Sequence, residues 1–253
     1  VILKTSLENN YQFNAQELDS VLTEKTRMVM LNSPSNPTGL TYTKDQYQII
    51  GEVLEDYPDI FIATDDMYEH IYWGDDNFCS FAEACPDMFD RTITINGVSK
   101  AYAMTGWRIG YCGGPKKIIA AMKKIQGQST SNASSISQAA AVAALNGSHQ
   151  PVRSMAKEYE KRHALIFNAL NNIKGFKTLA ATGAFYTFPE VTTVIEDLNL
   201  SNDVEFSDYL LENARVAVVP GSAFGAKGHI RLSFATSMEL IKEAVNRIND
   251  VLE

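Results

Sequence analysis

Short apolar runs punctuate the first half of the chain, each followed by polar or glycine-rich sequence. Met28 to Leu31, Ile60 to Ala63 and Arg91 to Ile95 are too short for helices and read as buried strands. Helical spacing fills the gaps between them. Asn14-Ala-Gln-Glu17 is a capping box opening a helix through about Leu22. Thr43-Lys-Asp-Gln46 is a second, after which Tyr47, Ile50, Val53, Leu54 and Tyr57 keep one apolar face. Strands alternating with helices predict an α/β fold with a parallel sheet. Beyond a serine-rich helix-start loop at Ser129 to Ser137, a long helix is predicted from Pro151, with Val152, Met155, Tyr159, Ile166 and Leu170 on one side. Ala214 to Val219 and His229 to Phe234 read as strands. Thr236-Ser-Met-Glu239 caps a last helix whose apolar face is Leu240, Ile241, Ala244, Val245 and Ile248.

In such sheets ligands gather outside the carboxyl ends of the strands. Asn36, Asp65 and Lys100 each lie just past a predicted strand, so they should converge on one rim. Lys100 sits in Asn96-Gly-Val-Ser-Lys-Ala-Tyr-Ala-Met-Thr-Gly-Trp-Arg-Ile-Gly110, where Lys100 and Arg108 are the two charges. A partly buried amine is a nucleophile suited to an aldehyde, and a nearby guanidinium suits a phosphate. Asp65 ends an apolar strand, where an unpaired carboxylate is costly; a cationic partner and a helix N-cap are both open readings. Asp66 is expected to cap or to stay solvated. By pattern alone Tyr68 is equally a core or a site tyrosine, Asn36 belongs first to an Asn-Pro-Thr-Gly turn, and Arg231 faces either solvent or a ligand.

The Lys100 stretch resembles the lysine motif of the class I pyridoxal-phosphate (PLP) aminotransferases, most of all the bacterial-type aspartate aminotransferase subgroup. Asn32-Ser-Pro-Ser-Asn-Pro-Thr-Gly39, Thr64-Asp-Asp-Met-Tyr68 and Ile230-Arg-Leu-Ser-Phe-Ala235 continue the resemblance in the family's order. It implies the PLP-transferase fold type I: a mostly parallel sheet in a large domain, plus a smaller α+β C-terminal domain. Residues 1–152 would be the C-terminal part of the PLP-binding large domain, and 153–253 the small domain, joined by the long helix. The resemblance gives Lys100 the Schiff base with PLP and the catalytic proton transfer, Asp65 the pyridinium nitrogen, and Tyr68 and Asn36 the ring oxygen. It gives Arg108 the phosphate, and Arg231 with Asn36 the substrate α-carboxylate. It also implies a cis Asn36–Pro37 bond, and places Gly97 where the family usually has a phosphate-contacting hydroxyl. Tyr186 in Gly183-Ala-Phe-Tyr186 and the loop Pro220 to Gly225 are expected to line the entrance.

The implied reaction is transamination between an L-amino acid, first aspartate, and a 2-oxo acid, first 2-oxoglutarate. Aromatic, prephenate or broad-range aminotransferases and a PLP lyase are alternatives on the same fold. An aminotransferase-like effector domain of a transcription regulator is the alternative from another class. The family also implies a homodimer.

Composition narrows the rest. Of 253 residues 45% are hydrophobic, enough for one large core or two modest ones, and the net charge is −8 without a basic run. That disfavours direct nucleic-acid binding. No apolar run is long enough to span a bilayer. Cys79, Cys85 and Cys112 form neither a disulfide framework nor a zinc motif, which fits a reducing cytoplasm. The histidines His70, His149, His163 and His229 show no metal-binding spacing, so no metal is expected. Val1-Ile-Leu-Lys4 has no initiator methionine, leader pattern or cap, and reads as the interior of a longer protein. The resemblance implies that the missing portion supplies a phosphate loop and an aromatic that stacks on the cofactor.

Overall fold

The structure, a computed structural model, describes residues 1–253. Helix α1 (Ala15–Val21) precedes strand β1 (Met28–Asn32), α2 (Lys44–Glu55) precedes β2 (Phe61–Asp65), and the single turn α3 (Phe81–Ala84) precedes β3 (Thr92–Gly97). Then come β4 (Gly110–Gly113), α4 (Lys116–Ser129), α5 (Ser135–Asn146) and the long α6 (Gln150–Asn171). The remainder holds β5 (Tyr186–Thr187), α7 (Thr192–Asp197), α8 (Asp203–Tyr209), β6 (Val219–Pro220), β7 (Ile230–Ser233) and α9 (Met238–Asp250).

Both predicted capping boxes form. Asn14 accepts from the Glu17 N–H while Glu17 returns to the Asn14 N–H, and Thr43 and Gln46 do the same for α2. Each such cap contributes about 1 kcal/mol. The first sheet runs β1-β2-β3-β4, parallel through β3 and antiparallel at β4. Its register sets Asn32 beside Asp65 and Asp65 beside Ile95, so three carboxyl ends finish level. The second sheet is antiparallel, β5-β7-β6.

Two large cores form. Leu18, Tyr47, Ile50, Leu54, Ile62 and Phe81 anchor the one beneath the parallel sheet; Ile166, Leu170, Phe206, Ile230, Phe234 and Ile248 anchor the other. Burying each such side chain contributes about 1.5–3 kcal/mol. Between them lies a small cluster of Tyr68, Ile71, Ala184 and Tyr186, against which Met155 and Tyr159 of α6 pack. One helix thus serves both the small cluster and the C-terminal core. No helix is long and apolar enough to cross a membrane.

Three local expectations change. The cap of α9 is Ser237, accepting from the Leu240 N–H, instead of Thr236. Leu240 is 53% exposed, and the buried stripe is Ile241, Val245 and Ile248. Ala214 to Val219 is not a strand. A wide helical turn continues through Leu210–Ala214, the left-handed Arg215 (φ 56°) ends it, and the Val216 N–H returns to the Leu210 carbonyl. Only Val219–Pro220 pairs.

Candidate active site

The loop after β1 is tied to the end of β2. Asn32 donates its side-chain N–H to the Asp65 carbonyl at 2.9 Å, and its Oδ1 accepts the Asn36 backbone N–H at 2.8 Å. The cis peptide is Ser33–Pro34, so the expected cis Asn36–Pro37 bond is not found. The turn closes instead through Gly39 N–H to the Ser35 carbonyl and Ser35 N–H to the Leu40 carbonyl, both 2.8 Å. The Asn32 bond aims Asn36.

Gly39 is needed twice over. Its φ is +71°, and a Cβ there would lie 2.6 Å from Ala181 Cβ and 2.9 Å from the Tyr186 carbonyl. That close approach lays residues 181–186 across the rim. The Gly39 carbonyl accepts from the Thr182 and Gly183 N–H groups, and the Ala184 N–H reaches the Ile71 carbonyl. Ala181 is held at both polar atoms, its N–H by His163 Nε2 (2.9 Å) and its carbonyl by Trp73 Nε1 (3.0 Å). Acceptance requires a neutral His163, and burial lowers its pKa to about 4.

So placed, Tyr186 does more than line an entrance. Its hydroxyl lies 3.1 Å from that of Tyr68, and its ring lies 4.4 Å from the Arg231 guanidinium carbon. Phe224 flanks the same guanidinium at 5.1 Å. Arg231 Nη1 donates to Asn36 Oδ1 at 2.7 Å, joining positions 195 apart in sequence, while its buried Nε has no partner. Arg231 on β7 therefore faces the rim and not the solvent. Burial, followed by the Tyr186 hydroxyl, holds the Tyr68 phenol far above its ordinary pKa, so it remains protonated.

Lys100 and Arg108 share the connection between β3 and β4, whose pairing of Gly97 with Gly110 turns the chain back. Lys100 is half-buried with Nζ 5.9 Å from the Phe185 ring centroid, and Phe185 packs edge-on against Tyr68 at 5.5 Å. A Cβ at Gly97 would lie 3.2 Å from Gly110 Cα and 3.0 Å from Met67 Cε, so a hydroxyl residue there would need the methionine and the paired strand to give by a few tenths of an ångström. Arg108 is exposed and left-handed (φ 51°), and its Nη1 is bound to the Thr105 carbonyl. No side-chain contact joins it to the other five residues.

Asp65 is half-buried; its Oδ1 accepts the Met67 N–H at 3.2 Å and it has no cationic partner. Asp66 is corrected: it neither caps nor meets solvent. It is 1% exposed, its Oδ1 accepts from the Thr64 hydroxyl, its Oδ2 has no partner, and burial raises its pKa to about 6. It directly follows the end of β2, where its N–H still bonds the Ile95 carbonyl at 2.9 Å. A cavity of about 480 Å³ opens on Lys4, Tyr11, Asn36 and Phe224, and does not extend to Lys100 or Asp65. Tyr186 and Phe224, expected only to line an entrance, both pack against the Arg231 guanidinium, a contact that no local pattern signals.

Residues 1–248 match the family model "Aminotransferase class I and II". The chain is 51% identical to an aspartate/prephenate aminotransferase of Nitrosomonas europaea over all of this chain and 65% of that protein. It is 44% identical to an aspartate aminotransferase of Rhizobium meliloti, over 98% of the chain and 62% of the relative. The crystal structure of the aspartate aminotransferase from Rhizobium meliloti superposes on all of the chain with a TM-score of 0.93 at 44% identity, covering 64% of that structure. An aromatic aminotransferase from Pyrococcus horikoshii does so at 0.92 and 39% identity, covering 66%. The chain thus spans slightly under two thirds of the length of the curated relatives it matches. By its motifs, its sheet order and this match, the chain belongs to the class I and II aminotransferases.

Proposed function

We propose that this chain is the larger part of a PLP-dependent enzyme that transfers an amino group from an L-amino acid, first aspartate, to a 2-oxo acid, first 2-oxoglutarate. The observation that carries this is the Arg231–Asn36 bond. It brings a carboxylate-binding cation with an unspent Nε donor to the rim that Lys100 and Asp65 occupy. Aspartate stands in the names of both relatives, once together with prephenate and once alone, which supports aspartate as the amino donor.

The residues present fit PLP. A half-buried amine (Lys100), a carboxylate without a cation (Asp65), a phenol kept protonated (Tyr68) and an amide (Asn36) match its aldehyde, ring nitrogen and ring oxygen. Arg108 supplies a guanidinium for its phosphate. When bound, PLP supplies the electron sink that makes the amino acid's Cα–H acidic. Arg231 and Asn36 would hold the substrate α-carboxylate, orienting Cα toward Lys100. Lys100 Nζ would take the Cα proton as general base and return it as general acid. Asp65 would keep the ring nitrogen charged by pairing with its proton. Phe185 packs edge-on against Tyr68 and lies 5.9 Å from Lys100 Nζ, and Tyr186 also packs against Tyr68, so an apolar wall would flank that proton path.

On the same reading, residues 1–152 belong to the cofactor-binding domain and 153–253 to the small domain. The protein works as a cytoplasmic homodimer, as the family resemblance implies. The test is a visible absorbance titration of the purified chain with PLP, followed by aspartate. A protein-bound band that aspartate bleaches supports the reading, and Lys100→Ala should abolish both band and bleaching. A band that only an aromatic amino acid bleaches would move the substrate assignment; no band would refute activity of this chain by itself.

A further inference from the structure

Asp203 is buried to 1% exposure, yet no cation pairs with it. A carboxylate in that position needs a reason, because burial disfavours its charge. Capping its own helix is not the reason. Asn202 is the N-cap of α8 and accepts from the Val204 and Glu205 N–H groups. The Asp203 carboxylate instead turns to the loop between β6 and β7. Oδ2 accepts the Ser222 N–H at 2.7 Å, and Oδ1 reaches the Gly228 N–H at 3.5 Å. Burial pushes the carboxyl pKa up, but these donors outweigh it and the net direction is down, so the group stays ionised at neutral pH.

The loop it holds is tight. A Cβ at Gly221 would lie 2.3 Å from the Ala226 carbonyl, and Gly225 and Gly228 are left-handed at +80° and +74°. The Gly221 N–H bonds the His229 carbonyl and the Ala226 N–H bonds the Gly221 carbonyl, so the loop closes on itself with Phe224 at its tip. Phe224 stands edge-on to Phe188 at 5.9 Å and against Arg231 at 5.1 Å. A short charge-assisted bond at Ser222 thus fixes the start of the turn whose end carries an aromatic wall of the guanidinium.

We propose that Asp203 is a positioning residue of the site: by clamping the backbone at Ser222 and Gly228, it sets Phe224 against Arg231 and so orients the guanidinium for a substrate carboxylate. Its catalytic meaning rests on the transaminase reading, whereas the clamp itself does not. The experiment therefore has two arms, each run on the full chain as Asp203→Asn and Asp203→Ala, with exposed Asp208→Ala on the same helix as control.

The first arm needs no cofactor. It measures amide exchange at Ser222 and the NMR resonance of the Arg231 Nε–H. Asp203→Ala should lower Ser222 protection at least tenfold and move the Arg231 signal, with core amides unchanged; Asp203→Asn should lie between it and wild type. Unchanged Ser222 protection overturns the clamp, and an unmoved Arg231 signal overturns its reach to the site. The second arm is kinetic. In Asp203→Asn, KM for the amino acid should rise about five- to tenfold with kcat within twofold. Loss of kcat at unchanged KM overturns the role. An inactive wild type would refute the transaminase reading and leave the first arm to decide the clamp.

Discussion

Two buried ionisable residues near the rim should bend the stability curve in opposite directions. Asp66 has its pKa raised from 3.8 to about 6, so the folded state binds the extra proton. Its contribution is full below pH 3.8 and is lost as pH rises through about 6. His163 is lowered from 6.5 to about 4, so its contribution is full above pH 6.5 and is lost as pH falls toward 4. Each shift corresponds to roughly 3 kcal/mol. Urea unfolding at pH 4, 5, 6 and 7 should show Asp66→Asn gaining on wild type by about that amount as pH rises. His163→Gln should lose ground over the same range, because only wild type then recovers the neutral-histidine term. Difference curves level with pH would contradict both assignments. Neither residue's environment was legible locally. Asp66 reads as a helix cap, but just past the end of β2 its backbone still bonds β3 and its side chain is buried, and His163 is one polar position on an otherwise apolar helix face.

At the scale of elements, helix starts were readable wherever the cap and its partner lie three residues apart, as at Asn14 and Thr43. The last helix shows the limit of that signal. Thr236 with Glu239 fits the capping-box spacing, but Ser237 takes the role by accepting from Leu240, which shifts the helix by one position. Ser237→Ala should therefore cost about 1 kcal/mol in thermal unfolding, and Thr236→Ala close to nothing. The reverse order would return the cap to Thr236. Strands were readable when short runs are apolar or β-branched, as in β1 to β3. β4 escaped because Gly110-Tyr-Cys-Gly113 has no pattern of its own; it exists by pairing with β3, and the Gly97–Gly110 pairing closes the connection that carries Lys100 and Arg108. Ala214 to Val219 failed for the opposite reason. Its apolar residues serve the end of a helix and a left-handed turn at Arg215 before any strand begins.

Across the whole molecule, the site is where two sheets meet. Arg231 from the antiparallel sheet is wedged between Tyr186 and Phe224 and donates to Asn36 at the end of the parallel one. Lysine at this position would keep the charge but lose the planar faces and the forked donors. Arg231→Lys should raise KM for the amino-acid substrate about 10- to 100-fold while leaving the melting temperature nearly unchanged. An unaltered KM would remove Arg231 from the clamp. The sequence by itself determined the alternation of strands and helices, the two N-terminal caps, and the placement of Asp65 at a strand end and of Asn36 and Lys100 just after strand ends, because each depends on neighbours a few residues away. Only the tertiary structure decided that Arg231 faces Asn36, that Tyr186 meets Tyr68, and that Asp203 turns to a loop instead of its own helix. Those contacts span 195, 118 and 19 residues, and arise from how the sheets and helices pack, which local pattern does not encode.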